Sequence, residues 1–475
     1  MDRITVIGAG LAGCEAAWQA YRLGASVRLI DMKPDALTPA HCHGGFAELV
    51  CSNSLGSQSV ENAKGLLKQE LRELGSLIVK CADMCKTPAG NALAVDRVKF
   101  SETVTRTISA CDGIEVECTQ VDRIPDSRPC IIATGPLTTQ NLLDDIAARL
   151  GGGRLYFFDA SSPIVTAGSI DESKIYRSSR YGKGEGGYIN CPMTKERYEA
   201  FTAALCGAET VEPHGFEDTK LFEGCVPVES LAKRGADTLR FGPLKPKGLP
   251  DPATGREPYA VVQLRQDDLE GGLYNLVGFQ TRLRFGEQRR VFTMIPGLEN
   301  AEFARYGVMH KNAYIDSPLV LDRTYALRCD GGLYFAGQLT GVEGYIESVS
   351  SGFTAGICSV LRNKKNMDFT FPQETMIGAL AAYISAGRGA GTQTWRQNSE
   401  ALPQLSMQEM QQLGMQEMRQ LGMQEFQPMN SNFGILPPLA PAGKRRSKRE
   451  RNAMYAGRSL AAVADMAKRL ETLRM

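Results

Sequence analysis

Residues 4–31 constrain this chain more than any other stretch. Ile4-Thr5-Val6-Ile7 is a buried-strand pattern, and Gly8-Ala9-Gly10-Leu11-Ala12-Gly13 follows it without a spacer. Cys14 to Ala20 then favours a helix, and Ser26-Val27-Arg28-Leu29-Ile30 reads as a second strand ending at Asp31. In such a βαβ unit each glycine has its own job. Gly8 permits the tight turn, Gly10 lets the main chain approach a pyrophosphate, and Gly13 lets helix and strand pack closely. The diphosphate rests on the helix N-terminus, where unsatisfied N–H groups and the dipole favour an anion. Asp31, eighteen residues after Gly13, is placed to accept hydrogen bonds from a ribose diol. Gly8, Ala9, Gly10, Leu11, Ala12, Gly13 and Asp31 are therefore the expected dinucleotide-binding set. The glycine pattern alone is a weak signal. The strand before it, the helix after it and the terminal acid give it weight.

The N-terminal unit does not choose between dinucleotides, and the far part of the chain helps. Residues 331–338 (GGLYFAGQ) read as a strand ending in a small-residue turn, and 344–352 (GYIESVSSG) as a helix packed through small residues. Such a strand-to-helix turn offers backbone N–H groups to a flavin's pyrophosphate or ring edge. Gly337 and Gln338 thus join the set, and FAD is the expected cofactor. Cys130-Ile131-Ile132-Ala133-Thr134-Gly135-Pro136 is another buried strand with a tight exit. Between these segments, short strands at 259–264 and 273–278 alternate with Pro/Gly turns such as 245–250. The expected class is α/β: a Rossmann-like, discontinuous FAD-binding domain (1–186 and 331–475) with an inserted α+β domain (187–330).

Composition narrows the setting. The net charge is +1 over 475 residues, so any basic binding surface must be local. No apolar run reaches membrane-span length, and the first residues do not read as a signal peptide. Thirteen cysteines, an odd number, point to reduced thiols and a cytoplasmic setting. His41-Cys42-His43 and the pair Cys81 and Cys85 lack partner pairs at metal-finger spacing, so no metal is expected. Residues 386–424 hold a near-exact octapeptide repeat, MQEMQQLG then MQEMRQLG, whose period fits no coiled coil. It reads as a low-complexity insertion. A basic helical tail covers 443–475, and Lys444 to Arg451 holds six positive charges in eight positions, a pattern that suits a nucleic-acid backbone.

Several segments carry a resemblance. They are 8–13, 50–56 (VCSNSLG), 222–229 (FEGCVPVE), 337–345 (GQLTGVEGY), 426–430 (FQPMN) and 432–434 (NFG). Through them, residues 1–385 and 426–470 resemble the TrmFO family of folate- and FAD-dependent tRNA uracil-5-methyltransferases, which is related to GidA. The resemblance implies methylation of uridine 54 in the tRNA T-loop. It implies methylenetetrahydrofolate as carbon donor, and NAD(P)H supplying electrons through FAD. Cys51 and Cys225 are the catalytic residues it carries over.

That chemistry suits those residue types. Uracil C5 is a poor nucleophile; a thiolate adding at C6 creates an enolate that can attack a one-carbon electrophile. Cys51 follows a strand-like run and precedes Ser52-Asn53-Ser54, a cap-like sequence. A helix start there would lower its pKa. Cys225 lies between Gly224 and Val226-Pro227, a constrained turn. Arg282, Arg284 and Lys311 are equally able to face a folate glutamate tail or to be surface charges. Asp31 departs from the Glu more usual in such flavoproteins. Two alternatives stay open: a GidA-like enzyme of the wobble uridine, expected to carry a larger C-terminal helical domain, and an FAD/NAD(P)H oxidoreductase of small molecules, which needs neither cysteine.

Overall fold

The computed structural model describes residues 3–38, 40–150, 154–182, 188–211, 226–386, 426–440 and 447–474. The octapeptide repeat, Cys225, Lys444, Arg445 and Arg446 lie outside the described residues.

Two sheets organise the chain. The first has six strands in the order Ala326–Leu327, Asp330–Phe335, Cys130–Ile132, Ile4–Ile7, Val27–Asp31, Ile114–Cys118. All neighbours run parallel except the first pair. Parallel strands are covered on both faces and so read as continuous apolar runs. Ile4, Val6, Leu29, Ile131 and Phe335 are all fully buried. This is the Rossmann-like α/β arrangement. The distal strand Asp330–Phe335 docks beside Cys130–Ile132, with Leu333 opposite Cys130, so chain segments some 200 residues apart complete one sheet.

Helix Leu11–Arg22 leaves the N-terminal turn and packs on helix Tyr345–Lys365. The two backbones touch: a Cβ at Gly352 would lie 2.1 Å from the Ala12 carbonyl oxygen. The small residues read at 344–352 are what allow this contact, and it aims both helix N-termini at the same end of the sheet.

The second sheet is antiparallel, in the order Tyr176–Arg177, Tyr188–Met193, Ala260–Gln266, Leu273–Leu276, Ile164–Thr166, Phe303–Arg305. It has its own core, in which Tyr198, Phe201, Phe279 and Phe292 are buried. A two-stranded ribbon, Arg154–Ala160 against Met309–Ile315, carries the chain out of the first sheet and back. Helix Lys448–Arg474 covers helix Ala63–Leu74, with Val463 and Leu470 fully buried and Ser459 Oγ donating to Glu70. Among the described residues no helix is long and apolar enough to cross a membrane.

Candidate functional site

The helix after Ile4–Ile7 begins without a side-chain cap. Gly10 occupies the N-cap, and Cys14 N–H is the first to reach back, to the Gly10 carbonyl at 3.0 Å. The amides of residues 11–13 are thereby left for an external acceptor. Gly8 has φ +99°, and a Cβ there would sit 2.6 Å from the Ala133 carbonyl oxygen. At Gly13 the corresponding atom would fall 1.7 Å from the Gly8 carbonyl oxygen. At Gly10 it would meet nothing within 4 Å. Gly8 and Gly13 are required by the fold, whereas Gly10 is required by neither sterics nor φ. It faces a cleft bounded by the strand end at Asp31 on one side and by Gly337 and Gln338 on the other. The residues fit a dinucleotide: a bare helix N-terminus, a side-chain-free approach and an acid at the next strand end.

Gly8, Gly10, Leu11, Ala12, Asp31, Gly337 and Gln338 all line this cleft. Ala9 and Gly13 are buried behind it. Asp31 accepts from the main-chain N–H of Ala9 and from that of Lys33, the latter at 2.9 Å. These bonds fix the carboxylate and leave lone pairs for a hydroxyl. On the opposite side Gly337 N–H donates to Ser351 Oγ at 2.7 Å, and Gln338 Nε2 donates to Glu343 at 2.6 Å.

Further residues line the cleft that the sequence had not marked as site residues, among them Lys33, Thr38, Glu48, Thr134, Tyr345 and Ser348. Thr134 and Tyr345 follow strand C-terminal ends, where open α/β sheets bind ligands; that rule was the available signal. His41 also lines the cleft, with Nδ1 2.6 Å from Thr38 Oγ1. Burial, then the neighbouring Lys33 charge, holds His41 below the usual imidazole range. Among the described residues, no three His, Cys, Asp or Glu group as metal ligands would.

Cys51 corrects one expectation. No helix starts there; the segment bends and enters the strand Ser54–Ser57. The main-chain N–H groups of Cys51 and Ser52 instead donate to the Tyr345 hydroxyl, at 2.7 and 3.1 Å. Tyr345 opens the helix Tyr345–Lys365 and lines the cleft together with Val50. Burial, followed by the nearby Cys51, pushes the Tyr345 phenol well up, so it stays protonated. Cys51 itself is half-buried beside the cleft rim.

Two arginines lock this loop from the other side. Arg97 donates to the Leu49 carbonyl at 2.7 Å and pairs with Asp267 at 3.0 Å, both side chains nearly dry. Arg265 donates to Asn53 Oδ1 at 2.8 Å and Ser52 Oγ at 3.0 Å. Asn53 in turn donates to the Gln266 carbonyl at 2.9 Å. The second sheet thus holds the cysteine loop against the cleft of the first. Breaking a buried ion pair strands its partner's charge, so Arg97→Leu is expected to cost about 3–5 kcal/mol in urea unfolding. Lys99→Leu, which breaks the exposed contact to Glu270, is expected to leave the urea midpoint almost unchanged.

Cys225 lies outside the described residues. Just beyond it, Val228 N–H donates to the Gln280 carbonyl at 2.7 Å, and buried Glu229 accepts from Thr281 Oγ1 and Arg282 N–H. Arg282 lies against Glu229, and Arg284 is exposed near Glu209. The Lys311 side chain is also outside the description. Of the basic tail, Lys448 and Arg449 begin the last helix, and Arg449 pairs with Glu61 at 2.8 Å on the surface.

Comparison with known proteins places these features in a lineage. The family described as Glucose inhibited division protein A matches residues 3–367. A methylenetetrahydrofolate--tRNA-(uracil-5-)-methyltransferase TrmFO of Acetivibrio thermocellus is 52% identical over 462 residues, covering 97% of each chain. The protein of that name from Lactobacillus acidophilus is 49% identical, over 97% of this chain and 98% of that one. Among solved structures, Aquifex aeolicus GidA superposes with a TM-score of 0.62 at 18% identity, covering 88% of this chain and 75% of that one. This likeness concerns the fold alone.

Proposed function

The chain belongs to the GidA family, among its TrmFO methyltransferases, and on that premise we propose that it forms 5-methyluridine at position 54, in the T-loop of tRNA. It is a folate-dependent tRNA uracil-5-methyltransferase and a flavoprotein that binds FAD. Methylenetetrahydrofolate supplies the carbon, and NAD(P)H supplies the electrons. The observation that carries the reading is the Cys51 loop, tied by Tyr345 to the rim of a dinucleotide cleft. FAD held there would, once reduced by NAD(P)H, supply the hydride that makes a methyl from a methylene.

The protein's own residues then have separate tasks. Gly8, Ala9, Gly10, Leu11, Ala12 and Gly13 form the pyrophosphate seat, Asp31 takes the ribose, and Gly337 and Gln338 close the far side. Cys51 and Cys225 are the reactive thiols, one adding to uracil C6 and the other assisting. Tyr345, Arg97 and Arg265 position the Cys51 loop. The first sheet and its helices serve the flavin; the second sheet, which already takes in Ile164–Thr166 and Tyr176–Arg177, forms an inserted domain that begins before the expected 187–330; and the basic tail contacts the tRNA backbone. The enzyme works in the cytoplasm.

Mass analysis of nucleosides tests this. Undermodified tRNA incubated with the protein, FAD, NADPH and methylenetetrahydrofolate is expected to gain one methyl on uridine 54, and none without the folate. Modification confined to the wobble uridine would overturn the assignment.

A further inference from the structure

Three aromatic rings form a ladder at the edge of the second sheet. Tyr306 stacks on Phe303 with ring centres 5.1 Å apart and planes 14° from parallel. Phe285 stacks on Tyr306 at 4.9 Å and 19°. Rings packed in the nearby core choose other geometries, as Phe279 does against Phe292 at 78°. The ladder does not end in the core: Phe285 is 56% exposed. A rigid stack ending on an open aromatic ring is the form proteins use to receive an unstacked base.

Charge around the ladder favours a polyanion. Residues 282–290 hold four arginines and one carboxylate, a balance of +3 in nine residues of a chain whose total is +1. Arg284, Arg289 and Arg290 are exposed. Arg284 lies 3.5 Å from Glu209 and Arg290 2.6 Å from Glu287, surface pairs worth little and easily exchanged for another anion. Arg305, between Phe303 and Tyr306 in the chain, donates to the Ala40 carbonyl at 3.3 Å. Ala40 precedes His41 of the cleft, so the strand that carries the ladder is tied to the loop that lines the cleft.

We propose that Phe285, backed by Tyr306 and Phe303, stacks an unpaired base of the substrate tRNA while Arg284, Arg289 and Arg290 take the adjoining phosphates. This rests on the tRNA reading above. Arginines at the two ends of the helix Phe285–Phe292, Arg284 at its N-cap and Arg289 and Arg290 in its last turn, suit a chain of phosphates better than the compact tail of a single folate.

The test is binding of an unmodified tRNA transcript to the FAD-loaded protein without folate. Phe285→Ala is expected to weaken binding about tenfold or more while keeping flavin content, melting temperature and the slope of affinity against salt. Phe285→Trp is expected to bind like the parent, and Phe285→Leu like the alanine variant, because shape without a π-face does not stack. The triple change Arg284→Gln, Arg289→Gln and Arg290→Gln is expected to flatten the salt slope. Parent-like binding by Phe285→Ala or Phe285→Leu overturns the proposal. So does a raised KM for methylenetetrahydrofolate with unchanged tRNA affinity, which would give the ring to the folate. Parent protein that binds tRNA without methylating it defeats the activity alone, and the same binding curves still decide the ladder. Parent protein that binds no tRNA overturns both.

Discussion

Gly10→Val is expected to fold and to be colourless. The parent is a yellow protein with stoichiometric FAD, and this single change should remove the flavin without touching the core. Position 10 differs from its neighbours in one respect: an added Cβ meets no protein atom within 4 Å. The backbone there has φ −73°, which valine tolerates. The added isopropyl group therefore costs the apoprotein little. It stands in front of the amides of residues 11–13, where the pyrophosphate must sit. Hydrogen bonds to a charged acceptor contribute roughly 1.5–3 kcal/mol each. Losing two weakens FAD binding by about a hundredfold or more. Gly13→Val is the contrast. Its Cβ falls 1.7 Å from the Gly8 carbonyl oxygen, so that variant is expected to fail in folding. Visible absorbance and circular dichroism on both variants separate the two roles. A Gly10→Val protein with the parent's flavin content would remove the cradle from residues 8–13.

These positions were legible because main-chain clearance leaves a glycine in the sequence. At Gly13 the obstacle is the nearby Gly8 carbonyl and at Gly8 it is the distant Ala133 carbonyl, and only glycine satisfies either. The helix Tyr345–Lys365 was legible for a related reason: its small residues record a backbone contact with Ala12. The strands Ala260–Gln266 and Leu273–Leu276 stand within a few residues of their expected places. The environment of Cys51 was not legible. Ser52-Asn53-Ser54 has the composition of a helix cap, but serine and asparagine also fold back onto local amides in turns. Here Ser52 Oγ accepts from Ser54 N–H and Ser54 Oγ from Gly56 N–H, both at 3.1 Å, and the chain goes on as a strand paired with Ala92–Val95. The loop's real supports come from far away. Arg265 meets Asn53 across 212 residues, and Tyr345 meets Cys51 across 294. No periodicity or spacing announces pairs so distant; the second sheet brings Arg265 to the loop, and the helix Tyr345–Lys365 of the first sheet's unit brings Tyr345.

The same distant supports set the terms for the thiols. Cys51→Ala and Cys225→Ala are each expected to cut methyl transfer by at least about a hundredfold while keeping FAD. Most other cysteines are poor rivals for the role. Burial pushes Cys81 up to about 11 and Cys130 up to about 12, and drives Cys14, Cys191 and Cys358 higher still. Their thiolates are inaccessible at neutral pH, and the thiolate is the nucleophile. Cys118 is exposed, but it ends the strand Ile114–Cys118 at the edge of the first sheet. Cys118→Ala is therefore the control and is expected to behave like the parent. Cys51 stands apart because its loop is pinned, half-buried, beside the dinucleotide cleft. A tRNA fragment carrying 5-fluorouridine at position 54 identifies the attacking group. Fluorine at C5 blocks release of the C6 adduct, so the parent is expected to give a slowly migrating band in a denaturing gel. One of the two alanine variants should fail to form that band, and it names the nucleophile. The other should still trap RNA but turn over slowly, as expected of a residue that assists after addition. If both variants trap RNA and methylate at the parent's rate, the cysteines only pack, and attack by a protein thiol is not the route to 5-methyluridine in this enzyme.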